Sequence, residues 1–127
     1  SVVEEYLEGS KFRPALEAFL TWKEMNFEHF STEEELLFPR TESIMGRIPP
    51  IQVMLMEHQQ IRGLFHDIED AIKNGDKNRA IGIIETCMIM IQQHNMKEEQ
   101  ILYPIIERSL ANSEDIIVKE LKNRIHE

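Results

Sequence analysis

Two segments of this chain repeat one phrase. Residues 29 to 39 read "HFSTEEELLFP" and residues 94 to 104 read "HNMKEEQILYP", so both follow H-x-x-x-E-E-x-x-L-[FY]-P. The phrase constrains the fold because it mixes groups made for burial with groups that resist it. Residues four apart on an α-helix lie about 40° from each other around the axis, one turn along. His29 with Glu33, and His94 with Glu98, therefore project from one face of their helices. That face is the apolar one, since Trp22 and Met25 precede His29 on it, and Cys87 and Ile91 precede His94. Glu34 and Glu99, five from their histidines, lie about 140° away and are expected in solvent or in surface ion pairs.

The remaining chain supports a helical reading. From Pro14, a good first-turn residue, apolar side chains recur at three- and four-residue spacing through Leu16, Phe19, Leu20, Trp22, Met25, Phe30, Leu36 and Leu37. Before it, a short helix ends at Gly9-Ser10. Pro39 should loosen the last turns of the second helix rather than abolish them. The "MGRIPP" connection leads to a third helix that stops at Asn74-Gly75. Asp76 suits the N-cap of a fourth helix running to about Leu110, and Ser113 that of a last helix over about 113–126, striped by Ile117, Leu121 and Ile125. No alternating strand pattern competes. The expected class is all-α: an antiparallel up-down helical bundle with a short or incomplete first helix, one domain over 1–127 with its core in 14–110.

Composition narrows the function. The apolar fraction of 42% excludes a disordered chain, and a net charge of −9 argues against nucleic acid or an anionic membrane as partner. No apolar run is long enough to span a bilayer and no secretory leader is visible. Cys87 is the only cysteine, which excludes an internal disulfide; it sits in an apolar helical run and is expected to be a buried, inert thiol. These features fit a cytoplasmic location.

A glutamate aimed into a bundle core carries a heavy desolvation cost unless it is paired or binds a metal. Helix three adds His58, with Met54, Ile61 and Phe65 on its face, so three helices deliver three histidines and two carboxylates. Inward Glu and His from facing helices are how bundles build dimetal sites. The predicted metal set is His29, Glu33, His58, His94 and Glu98. Mixed nitrogen and oxygen donors suit Fe, Mn or Zn and disfavour metals that prefer thiolates. A lone H-x-x-x-E is more often a surface pair; two copies with matching Leu-aromatic-Pro tails are not explained that way. His66, about 80° from the direction of His58, is expected to be a polar neighbour rather than a ligand. His126 should lie at the surface, Trp22 should anchor the core, and Met25, Met54, Met56, Met88, Met90 and Met96 should fill core space. The aromatics of the "FP" and "YP" pairs should pack on a neighbouring helix.

The segments "HFSTEEELLFP", "MEHQQIR" and "HNMKEEQILYP" resemble the hemerythrin-like, HHE cation-binding family, closest to its bacterial branch, over about residues 14 to 110. The resemblance implies a four-helix bundle with a carboxylate-bridged, non-haem di-iron centre. His29, His58 and His94 would be terminal ligands, and Glu33 and Glu98 would bridge. It further implies a module that binds or senses O2, NO or iron. Two alternatives are a di-iron enzyme for iron–sulfur cluster repair or NO or peroxide reduction, and a metal-free structural or interaction bundle. No dedicated proton donor or acceptor is visible near the site, which counts against the enzyme. Three departures stand out. Arg62 occupies the place of a second histidine found in the oxygen carriers, the His-to-acid spacing of the last motif is shorter than theirs, and residues 1 to 28 contain no histidine. A segment preceding Ser1, an open coordination position, or a substitute such as Tyr6 would each account for the last of these. An incomplete first helix would favour a homodimer, or cover by the 113–126 helix.

Overall fold

A computed structural model describes residues 1–110 together with Glu120 and Asn123. Among them there is no strand. The elements are α1 (Val2–Glu8), α2 (Phe12–Thr32), a π-helical turn (Glu33–Leu37), α3 (Phe38–Met45), α4 (Pro49–Lys73), α5 (Lys77–Lys97), a second π-helical turn (Glu98–Leu102) and α6 (Tyr103–Leu110). Because each π turn joins two α-helices without a break, the described chain forms four helical rods. The all-α class is as expected. The helix placed over 113–126, with its cap Ser113 and with His126, lies outside the described residues.

Local chemistry explains the boundaries. Ser1 and Glu4 form a reciprocal capping box at the start of α1. The connection between α4 and α5 turns on Gly75, whose φ of 69° is a left-handed conformation that glycine adopts without a Cβ clash. Asp76 N–H closes that turn on the Ala71 carbonyl at 2.9 Å, and Asp76 then accepts from the Arg79 N–H, the cap expected for α5. Gly46, with φ 78° and ψ −174°, ends α3 in an extended positive-φ conformation that only glycine adopts readily.

The chain contacts separate into two compact units. The first comprises Ser1–Phe27 and Gln59–Gln92. Val3, Leu7, Ala15, Phe19, Ile61, Phe65, Ile68, Ile72, Ile84 and Cys87 are buried in it. Phe65 is the hub of its aromatic cluster, with ring centres 4.6 Å from Trp22, 5.5 Å from Phe27 and 5.6 Å from Phe19. Trp22 is thus an anchor, as expected. Burial pushes the Cys87 thiol up to about 12, so it is inert at neutral pH.

The second unit comprises Glu28–His58 and the chain from Gln93 onward. Its apolar core is Leu37, Phe38, Ile51, Met54, Leu102, Tyr103 and Ile106. Each such side chain, fully buried, contributes about 1.5–3 kcal/mol. Above this core lie five inward polar residues, described below.

Two expectations about packing are corrected. Of the methionines expected to fill the core, only Met54 is buried; Met25, Met56, Met88 and Met96 are exposed, and Met90 is half-buried. Leu20 and Leu36 are also exposed. The inward line of the second rod runs through Ala15, Phe19, Phe30, Glu33 and Leu37, which leaves Leu20 and Met25 off to its side. In the π turn, Leu37 rather than Leu36 points inward.

Candidate metal centre

The two π turns begin at Glu33 and at Glu98, the first glutamates of the repeated phrases. In each, the backbone N–H of the following aromatic reaches five residues back: Phe38 to the Glu33 carbonyl and Tyr103 to the Glu98 carbonyl. The next residue is Pro39 or Pro104. Proline has no N–H, and its ring clashes with the carbonyl four residues earlier. A turn widened to i→i+5 takes up that ring without ending the helix. The "Leu-aromatic-Pro" tail is thereby tied to the glutamate that starts the phrase, because the proline falls where the π turn must close.

All five sequence-derived candidates come together in the second unit. Glu33 and His58 are 0% exposed, His94 1% and Glu98 2%, while His29 retains 30% exposure at its side chain. His29 Nε2 lies 3.4 Å from Glu33 Oε1 and 3.7 Å from Glu98 Oε1. His58 Nε2 is 3.2 Å from Glu33 Oε1, and His94 Nε2 is 3.4 Å from Glu98 Oε1. Ligand atoms of Glu33, His58, His94 and Glu98 all fall within 4.8 Å of one another.

A second set of carboxylates sits behind two of the imidazoles. His58 Nδ1 is 2.7 Å from Glu34 Oε2, and His94 Nδ1 is 3.0 Å from Glu57 Oε1. A carboxylate at Nδ1 fixes the tautomer with the proton there and leaves the Nε2 lone pair facing the cluster. Glu57 also accepts a bond from Lys97. Glu33 is held on its other side, where the Tyr103 hydroxyl donates to Oε2 at 2.8 Å. The Phe30 ring stacks on His58 with centres 4.1 Å apart and walls that imidazole off.

Charge is tightly balanced in this pocket. Burial alone lowers His29, but the carboxylates of Glu33 and Glu98, 3.4 and 3.7 Å away, outweigh that and raise it to about 9. His94 is likewise raised, burial being overcome by Glu98 and Glu57. Burial pushes Glu33 up, yet the His29 and His58 imidazoles beside it hold it well below the usual carboxylate range. Glu98 is held above that range by burial and by the Glu33 carboxylate beside it, against the pull of His29 and His94.

Five buried polar atoms have no hydrogen-bond partner: His29 Nε2, Glu33 Oε1, His58 Nε2, His94 Nε2 and Glu98 Oε2. Buried side-chain nitrogen and oxygen atoms are nearly always satisfied, and effective desolvation of an ionised group costs several kcal/mol. Here the unsatisfied atoms are all Lewis bases, and all belong to one cluster. Bound cations satisfy them together, so the residues fit a metal centre of mixed imidazole and carboxylate donors.

Three residues of the site were not legible as such. Glu34 was expected in solvent or in a surface pair, on α-helical angles; the π turn at Glu33 changes those angles, and Glu34 instead holds His58. Glu57 is adjacent to His58 in sequence, but its partner is His94, on a different rod. Tyr103 packs in the core as expected, yet its hydroxyl reaches Glu33; the one signal was that the repeated phrases differ there, Phe38 against Tyr103. Glu99 is exposed, as expected. His66 is exposed, as expected of a polar neighbour rather than a ligand, and Tyr6 belongs to the first unit. Arg62 sits over the Phe27 ring at 5.5 Å, also in the first unit.

The chain matches the family model of the hemerythrin HHE cation-binding domain over residues 2–106. It belongs to that family, and is a cation-binding module of helical build. No curated protein and no solved structure matched it. No helix among the described residues is long and apolar enough to cross a membrane.

Proposed function

We propose that His29, His58, His94, Glu33 and Glu98 hold a pair of non-haem iron ions, and that the protein binds or senses O2 or NO there. The observation that carries this reading is the convergence of five buried Lewis-basic atoms that lack a hydrogen-bond partner. Iron in such a site supplies reversible binding of a diatomic ligand coupled to a change of redox state. The chain's own residues prepare the place. Glu34 and Glu57 keep two imidazoles in the ligating tautomer, and Phe30 excludes water from the His58 side. His29, the one candidate ligand with substantial exposure, marks the side by which a small molecule enters. Manganese and zinc suit the same donors.

The test is anaerobic loading with Fe(II), followed by air or NO, with visible absorption recorded. New bands that bleach on removing the gas are expected. Bound iron with no spectral response to either gas contradicts the sensing reading. Retention of full metal content after Glu98→Ala contradicts the ligand assignment.

A further inference from the structure

The exposed methionines and isoleucine of α5 have no task in the core or at the metal centre. In a chain that is 29% charged, residues 86–96 contain no Lys, Arg, Asp or Glu, the longest such run in the sequence. They form about three turns of α5. The inner side of those turns is occupied, since Cys87 and His94 are buried. The outer side presents Met88, Ile89, Gln92, Gln93, Asn95 and Met96, all exposed. Ile89 is 57% exposed and Met96 47%. A helix side turned to water ordinarily carries charged groups, and this one carries apolar and amide groups instead.

We infer that this outer face of α5 is the contact between two copies of the chain. The occupant follows from charge. A basic partner would be drawn to carboxylates and an acidic one to ammonium groups, and this face offers neither. A contact across a twofold axis sets each patch against itself, so a lone charge on the axis meets its own sign. Amides avoid that conflict, because Gln92, Gln93 and Asn95 each carry donors and an acceptor and can pair with their own copies. Met and Ile pack equally well against Met and Ile, and interface centres are rich in Met and poor in Lys, Glu and Asp. The net charge of −9 opposes contact through acidic faces, so a second copy approaches most favourably through a face without charge. Three turns of helix offer less than the roughly 800 Å² per partner of a standard stable interface, so the pair is reversible and separates on dilution. No metal enters the contact, because His94 lies on the inner side of the same helix.

Sedimentation velocity of the full chain, from micromolar to millimolar concentration, tests the contact. The natural chain is expected to pass from the mass of one chain towards that of two. It should do so at lower concentration as salt is raised, because salt screens the mutual repulsion of two acidic copies. Ile89→Glu sets like charges face to face and is expected to weaken association by about tenfold or more, with helix content unchanged. Should Ile89→Glu not fold, Gln92→Glu, nearly isosteric and at an exposed position, makes the same test. Met56→Glu, at an exposed methionine of α4, is the control and is expected to leave the dimer intact. A natural chain that stays monomeric throughout overturns the inference and leaves the face to a different protein. Association that weakens as salt is raised would mark an ion-paired contact and overturns it as well. So does a dimer that survives both α5 substitutions, or one that Met56→Glu disrupts as strongly as Ile89→Glu.

Discussion

His94 Nδ1 and Glu57 Oε1 lie 3.0 Å apart although 37 positions separate them in the chain. The contact ties α5 to α4 through a candidate ligand, and Lys97 holds the far oxygen of the same carboxylate. Burial works against ionisation of Glu57, but Lys97 and His94 prevail and keep it below the usual carboxylate range. Glu57→Ala is expected to weaken metal binding about 10–100-fold while helix content is unchanged, because the imidazole loses its tautomer lock. Metal titration beside circular dichroism checks this; unchanged affinity would show that packing alone orients His94.

The prolines make a separate claim, that of a link between a helix irregularity and ligand placement. Pro104→Ala restores an N–H that can bond the carbonyl four residues back, so an ordinary α turn then competes with the π turn at Glu98–Leu102. Expected are full helicity and a metal affinity lower by about tenfold, since a side chain displaced by even 1 Å ligates poorly. Equal affinity would mean that core packing of Leu102 and Ile106 is enough to keep the wide turn.

The first unit offers a test that leaves the metal aside. Glu69 Oε1 is 2.9 Å from Lys23 and Oε2 is 2.8 Å from Lys73. Those two ammonium groups hold Glu69 below its ordinary value of 4.5, against a smaller opposing effect of burial. With the folded value depressed, the stabilisation is complete above the unfolded value and is lost as pH falls through the folded one. Glu69→Gln should therefore be less stable than the natural chain at neutral pH by up to about 1 kcal/mol, the range for partly exposed pairs. The two should converge in acid. Denaturant midpoints across a pH series measure the gap; a gap that persists at low pH would assign the loss to packing.

Helix positions, the cap at Asp76 and the convergence of the five candidate side chains all follow from local period and chemistry, and these were legible; the capping box at Ser1 was not read from the sequence. Glu34 was misread because a uniform α-helix turns it away from His29's face, whereas the repeated prolines coincide with π turns. Met25 and Met88 were misread because methionine fits either a core or a surface, and spacing alone does not say where the centre of a stripe lies. Glu57 and Tyr103 act through partners 37 and 70 residues away, and such pairings become visible only once the rods are assembled.

The central claim is that cations account for the burial of these imidazoles and carboxylates, and metal content tests it most directly. The natural chain, purified without added metal and reloaded anaerobically with Fe(II), is desalted and assayed for metal per chain. About two ions per chain are expected, as in other carboxylate-bridged pairs built inside helical bundles. A chain that folds stably and retains no iron, manganese or zinc after loading would contradict it.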